Sequence, residues 1–119
     1  MKTLKVSALA LLLGSGYAVA GDCTAPAMPT LPDGATASME QMLEGQKAVK
    51  TFQAANLDYM KCLEPGLTEA KTKAEAGEEG ASDTYNAALE VYNAAVSSEE
   101  DLAGRFNQAV RDYKAANPG

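Results

Sequence analysis

The most informative absence in the 119-residue chain is histidine, of which it has none. Without an imidazole, the chain cannot supply the most common general base, an HExxH zinc site or a CxxCH haem attachment. No serine is followed by a lysine at the spacing of an SxxK motif. Catalysis would depend on carboxylates or tyrosines alone, so we expect a protein that is not an enzyme and that uses no cofactor.

The chain also lacks a long apolar segment after its first 20 residues, whereas a membrane helix needs roughly 20 consecutive apolar residues. Residues 1–20 have the three parts of a secretory signal. Two lysines stand near the start, an apolar run follows over residues 6–14, and Ala18 and Ala20 form a small-x-small cleavage site. We therefore predict a signal peptide over residues 1–20, cleavage after Ala20 and an exported, soluble mature chain.

Basic residues are few, since the full chain has 10 Lys and Arg against 16 Asp and Glu. Cleavage would remove Lys2 and Lys5 and leave 8 basic residues against 16 acidic ones, a net charge of −8. Such a charge repels nucleic acid and anionic lipid. We expect neither nucleic acid nor a membrane to be a partner of the mature protein.

Cysteine occurs only at Cys23 and Cys62, which do not form a CxxC motif. Behind an export signal, and without histidine for a zinc site, two cysteines indicate one structural disulfide; the alternative is two free thiols. Residues 23–38 reach roughly 47 Å when extended, and residues 38–62 span about 36 Å as a helix. The intervening chain is therefore long enough for the pairing.

The mature chain is predicted to open with an extended arm over residues 21–37. Pro26, Pro29 and Pro32 recur there at a spacing of three, and each proline removes a backbone donor and favours polyproline-like geometry. A proline-rich segment can be the ligand of a partner's groove, but a cysteine near its start favours an arm strapped onto its own chain. Residues 38–119 then form the helical hairpin domain.

The first helix is predicted over residues 39–76. Ser38 and Gln41 fit a capping box at its start, and apolar side chains then recur with the alternation of one helix face. Pro65 and Gly66 interrupt this pattern, but its phase continues beyond them, which favours a kink at Pro65 over a stop. The predicted face comprises Met42, Val49, Phe52, Asn56, Tyr59, Leu63, Leu67, Ala70 and Ala74.

The second helix is predicted over residues 83–116, after a turn at residues 77–80, with Ser82 or Asp83 as its cap. Large apolar residues recur along it at heptad spacing, which is typical of a coiled-coil seam. The predicted seam comprises Tyr85, Leu89, Tyr92, Val96, Ala103, Phe106, Val110 and Tyr113, interrupted by Glu99.

Together the two helices predict an all-α fold, a long antiparallel two-helix hairpin with the arm strapped to it. Folding back at the turn would place Phe52 opposite Phe106 and Val49 opposite Val110.

Several segments of the mature chain, in this order, also resemble known proteins. They are residues 23–32, QKAVKTF at 46–52, YMKCL at 59–63, YNAAV at 92–96 and RFN at 105–107. Together they resemble an uncharacterised family of small exported proteobacterial helical-hairpin proteins with one disulfide. The resemblance implies a Gram-negative periplasmic setting and a pairing of Cys23 with Cys62, and it connects no motif to a known chemistry.

These features favour a non-enzymatic periplasmic protein that acts as a protein–protein interaction or structural module through its helix surfaces. A hairpin has one interior face, and the second helix has more aromatic residues than that face needs. A homodimer forming a four-helix bundle would bury the remainder. The alternative is a holdase-like envelope chaperone that binds unfolded clients on an exposed apolar concavity.

A third alternative is a soft-metal binder. Met28, Met39 and Met42 could together bind cuprous ion, although methionine at helical spacing is more often part of a core. This alternative requires Met39 and Met42 to point together and outward. The acidic residues at 78–79 and 99–101 do not follow a calcium-loop spacing, so we interpret them as solvated surface. We assign no metal-ligating residue.

The signal peptide and the disulfide can be checked together by mass analysis under non-reducing conditions. We expect the exported protein to begin at Gly21 and to weigh two hydrogens less than the reduced chain, because its two thiols are oxidised. A retained leader, two alkylatable thiols or an acylated Cys23 would contradict this expectation.

Overall fold

In the computed structural model, which describes residues 23–119, the regular secondary structure of the described chain consists of two α-helices. Helix α1 is Met39–Glu75 and helix α2 is Ala81–Ala116. They pack against each other along the hairpin. The predicted all-α, two-helix fold is confirmed, whereas the predicted signal peptide over residues 1–20 lies outside the described residues.

Helix α1 begins with the predicted capping box. The Gln41 backbone N–H donates to the Ser38 hydroxyl at 3.1 Å, and the Ser38 backbone N–H donates to the Gln41 side-chain oxygen at 2.8 Å. The helix continues through Pro65, which lies on the exposed side with Gly66. Because this side faces water, solvent can bond the Lys61 carbonyl that Pro65 cannot serve, and the helix is not broken.

The turn between the helices depends on two glycines. Gly77 and Gly80 both have φ of 78°, a left-handed conformation that favours glycine. After Gly77, the Glu78 N–H donates to the Lys73 carbonyl and the Gly77 N–H donates to the Ala74 carbonyl, which is the Schellman arrangement. The turn thereby satisfies carbonyls that the last turn of α1 leaves free.

The predicted cap of α2 at Ser82 or Asp83 is wrong. Gly80 is the N-cap residue, without a side-chain hydrogen bond, and the helix begins two residues earlier than expected, at Ala81. Ala81 is buried, whereas Ser82 and Asp83 are exposed. The early start of α2 therefore accompanies the burial of a small apolar residue and leaves the polar pair in solvent.

A disulfide joins Cys23 to Cys62, with an S–S distance of 1.97 Å and a Cα–Cα distance of 5.6 Å. It connects the start of the arm to the middle of α1 and confirms the predicted pairing. Because Ser38 is the other end of the arm, residues 23–37 run back along α1. The disulfide closes a loop with a sequence separation of 39, made of the arm and the first part of α1, for which the chain-entropy model gives a stabilisation of about 4 kcal/mol.

One side of the arm faces the helices. Cys23, Pro26, Pro29 and Pro32, spaced by three, are half-buried, whereas Met28 and most other residues between them are exposed. Three residues per turn is the period of polyproline II, so one face of the arm contacts the hairpin along its length. Among the described residues, no backbone hydrogen bond joins residues 23–32 to either helix. Side-chain packing and the disulfide therefore hold this segment.

The arm also contributes to the main apolar cluster. Val49, Phe52 and Leu102 form the buried cluster, and Leu31 of the arm and Phe106 of α2 pack against it. Leu102 is fully buried, with 0% of its surface exposed. The arm is thus more than the strap expected from the sequence, because it supplies an apolar side chain to the core.

Two glycines allow the arm to approach the helices closely. A Cβ at Gly34 would lie within van der Waals overlap of the Ala109 carbonyl, and a Cβ at Gly45 would lie 2.8 Å from Cδ of Pro32. The Asp33 carboxylate accepts the Ala35 N–H at 3.0 Å and so shapes the turn that positions Gly34. Any larger residue at Gly34 or Gly45 would force the arm away from the hairpin.

The most buried residues of α2 are not those of the predicted seam but a neighbouring row on the side of the arm. The predicted seam residues are half-buried throughout, and the most buried residues form a neighbouring row at strict heptad spacing. The reason is that α2 packs against the arm as well as against α1, and small residues permit that double contact. The row comprises Ala81, Ala88, Ala95, Leu102 and Ala109, and all except the half-buried Ala88 are buried.

The pairing of the helices also differs from the expected register. Phe52 shares the buried cluster with Leu102, and Phe106 approaches Gly45, with its Cε1 3.3 Å from the position of a Cβ there. The expectation that Phe52 faces Phe106 directly is therefore wrong. Phe52 packs with Leu102, which lies about one helical turn before Phe106 on α2. The buried alanine row accounts for the shift, since it brings Leu102 rather than Phe106 to the centre of the contact.

The close contact of the arm predicts opposite effects of alanine at two glycines. Gly34→Ala should lower the free energy of unfolding by about 2 kcal/mol, because the new methyl group overlaps the Ala109 carbonyl. Gly104→Ala, in the exposed helical surface of α2 with open space around the glycine, should raise it by about 0.5–1 kcal/mol. Urea denaturation of both variants measures this, and equal effects would contradict the close approach of the arm.

Candidate interaction surface

The side of the hairpin away from the arm has a line of half-buried apolar residues, which we call the open face. Met60 and Leu67 of α1 are seven residues apart, as are Leu89, Val96 and Ala103 of α2, and all five are half-buried. Heptad spacing keeps each row on one side of its helix. Cys62 is bonded to the arm, and Tyr59 lines the cavity under it. Both lie on the opposite side of α1 from Met60, so the arm covers the other edge of the hairpin.

A shallow groove lies in the middle of the open face. Met60, Val96 and Ala103 form its apolar floor, and Gln53, Glu99 and Glu100 form its polar border; its volume is about 280 Å³. A second cavity of about 260 Å³ lies under the arm, between Pro26 and Met28 on one side and Phe52, Asn56 and Val91 on the other. Both volumes are below the roughly 300–1,000 Å³ of typical small-molecule sites.

A polar contact fixes the helices beside this groove. Asn56 is 2% exposed, and its amide nitrogen donates to the Ala95 carbonyl at 2.9 Å and to the Glu99 carboxylate at 3.4 Å. Both acceptors lie on α2, so the contact is specific to one register of the hairpin. Glu99, the one charged residue of the predicted seam, is therefore explained as a partner of the buried Asn56.

Several large apolar side chains remain exposed outside the open face. Leu43 and Leu57, two heptads apart on α1, are 56% and 49% exposed, and Val91 of α2 is 43% exposed. Single exposed apolar residues are common on protein surfaces. Leu43 and Leu57 repeat at heptad spacing, however, and extend the apolar surface available to a partner.

The methionines do not form the arrangement that a soft-metal site requires. Met42 is buried in the helix contact, with 7% exposed, whereas Met39 is 59% exposed. Met28 lies at the cavity beside Asn56 and Val91, far along the hairpin from Met39. Because Met39 and Met42 do not point outward together, the metal-binding alternative is not supported.

Two of the acidic residues at 99–101 have partners within the hairpin. Asp101 accepts from Nε of Arg105 at 3.0 Å in an exposed i,i+4 pair, and Glu99 accepts from Asn56. In residues 23–119, no group of three or more His, Cys, Asp or Glu side chains is arranged to hold a metal ion. Neither helix of the described region has an apolar stretch long enough to cross a membrane.

Comparisons with known proteins leave the chain without an assigned family. No protein-family model matches it, and neither the curated proteins nor the solved structures yield a significant match.

Sequence patterns indicated some of these residues and missed others. Cys23 and Cys62 were identified, and Asn56 was placed correctly in the buried stripe of α1. Gly34 and Gly45 were missed, because a glycine leaves no hydrophobic signal and its role depends on a neighbouring segment. The row through Leu102 has a strict seven-residue spacing, but four of its five residues are alanine, whose burial leaves only a weak signal in the sequence.

The buried amide predicts a clear difference between two asparagines of the hairpin. Asn56→Ala should lower the free energy of unfolding by about 2 kcal/mol, because it removes two hydrogen bonds and leaves a small cavity. Asn93→Ala, at an exposed position of α2, should change it by less than about 0.5 kcal/mol. Chemical denaturation compares the two, and a cost at Asn56 no larger than at Asn93 would contradict its role in the register.

Proposed function

We propose that this chain is a non-enzymatic, exported helical protein that acts in the periplasm as a protein–protein interaction or structural module. The disulfide between Cys23 and Cys62 supports an oxidising compartment, since such bonds persist outside the reducing cytosol. The leader-like pattern of residues 1–20 supports export. The observation that supports interaction most directly is the open face.

The open face has the properties of an unfinished helix bundle. Its residues recur at heptad spacing on both helices, and Met60, Leu89 and Val96 each retain accessible surface. The arm closes the opposite side of the hairpin, so a partner that completes the packing would bind here. A second copy could place its own open face against this one and form a four-helix bundle.

Association through the open face can be tested with matched variants. We expect the full-length exported protein to self-associate, and Leu89→Ser with Val96→Ser to weaken association about tenfold or more. Val91→Ser, an exposed valine on the arm side of α2, is the matched control and should associate normally. Analytical ultracentrifugation measures the association, and circular dichroism confirms that helix content is retained.

A wild-type protein that stays monomeric up to millimolar concentration would contradict the homodimer. The open face would then bind a different protein, which cross-linking in the periplasm should identify. Failure to cross-link to any protein would contradict the interaction module as a whole.

A holdase-like envelope chaperone is the second candidate, favoured by the exposed Leu43, Leu57 and Val91. A holdase keeps apolar surface accessible, whereas a dimer buries it. A monomer that binds a hydrophobic dye and suppresses aggregation of an unfolded client would favour the chaperone. A dimer with little dye binding and no effect on aggregation would exclude it.

A further inference from the structure

The groove that holds the arm recognises a particular sequence. Leu31 packs against the cluster of Val49, Phe52 and Leu102. Pro32 lies over Gly45, where a Cβ would collide with its ring, and Gly34 lies against the Ala109 carbonyl. These three residues belong to the short segment Leu31-Pro32-Asp33-Gly34. The groove therefore binds a leucine–proline–x–glycine segment that is extended at Leu31 and Pro32 and turns at Gly34, and the chain itself supplies that segment.

The arm is attached in a way that permits its release as a unit. No backbone hydrogen bond joins residues 23–32 to the helices, and the backbone hydrogen bonds of the turn at residues 33–37 go to Asp33 within the turn. The covalent attachment is accessible, because Cys62 is exposed and Cys23 is only half-buried. Opening the turn and exchanging the disulfide would free the arm without breaking a helix.

We propose that the groove accepts the arm of a second copy of this chain, so that two copies exchange arms and form interchain Cys23–Cys62 disulfides. Exchange of an identical element between protomers recreates every native contact in trans and loses only those of the hinge. The hinge here is residues 35–38, which follow Gly34 and are exposed except for the half-buried Ala37. Exchange of the arms takes place on the arm side of the hairpin and does not involve the open face.

The covalent step balances with a low-molecular-weight thiol as the exchange agent. Its thiolate attacks one sulfur of Cys23–Cys62, which forms a mixed disulfide on that cysteine and frees the other cysteine as a thiolate. A second small thiolate opens the other copy at the same cysteine. After the arms exchange, the free cysteine thiolate of each copy attacks the mixed disulfide on the other copy and displaces the small thiolate, which leaves unchanged. Two intrachain disulfides become two interchain disulfides, with no net oxidation or reduction.

Two single-cysteine variants test the exchange. Cys62→Ser retains only Cys23, and Cys23→Ser retains only Cys62, so neither can close its own loop. The two full chains are co-expressed with different affinity tags in an oxidising compartment, and their covalent dimers are separated without reductant. Random pairing makes about half of the dimers mixed, whereas docking of the arm should favour the mixed dimer over like pairs about tenfold. A random distribution would overturn the proposal.

An arm substitution separates docking from chance collision of thiols. Leu31→Asp, added to the Cys62→Ser chain, should reduce the mixed dimer about fivefold, because a charge cannot occupy the apolar cluster. Thr30→Asp is the matched control, since Thr30 is exposed, and should leave the yield unchanged. Equal yields from the two variants would show that the groove does not guide the pairing.

The unaltered chain provides a second measurement that does not depend on the folding of the variants. Isotope-labelled and unlabelled proteins are mixed at high concentration with glutathione and its disulfide. Mass spectrometry should find Cys23 peptides of one label joined to Cys62 peptides of the other. Their absence at every concentration, while the intrachain link re-forms, would overturn the proposal.

Discussion

The packing of residues 23–37 into the groove between the helices is the contact on which the rest of the structure depends. It requires small residues where backbones meet, at Gly34, Gly45 and Ala109, and it requires Leu31 at the apolar cluster. Because α2 contacts both α1 and the arm, its alanine row occupies the centre of the interface. The disulfide keeps an arm without backbone hydrogen bonds to the helices in this position. A small protein with a thin core gains much of its stability from such a cross-link.

This arrangement also separates the molecule into two unlike sides. The arm side is closed by a segment of the chain itself and locked covalently. The open face, with Met60, Leu89 and Val96, has the heptad pattern of a helix contact but no segment packed over it among the described residues. The aromatic and apolar side chains that exceed the needs of one helix interface therefore lie on both sides of the molecule. Phe52 lines the cavity under the arm, and Phe106 packs with Leu31 against the same apolar cluster, whereas the residues of the open face stay half-buried.

The sequence was sufficient to predict the elements but not their contacts. The capping box at Ser38, the glycine turn and the passage of α1 through Pro65 depend on local chemistry, which a single sequence contains. The disulfide followed from the cysteine count and the reach of the arm. The burial of Leu102 and the register were missed, because both depend on how a third segment packs. Large side chains marked the flank of the seam, whereas its centre is formed by alanines whose burial has only a weak sequence signal.

The most direct test of this account is amide hydrogen exchange of the oxidised and reduced protein at low concentration. If the arm is part of the core, reduction should release it and lower the protection of the amides beneath it, around Phe52 in α1 and from Ala95 to Ala109 in α2. The helical segments next to the turn, which the arm does not contact, should change less. If reduction increases exchange in residues 23–37 alone and leaves both helices equally protected, the arm is only a strap and the account is wrong.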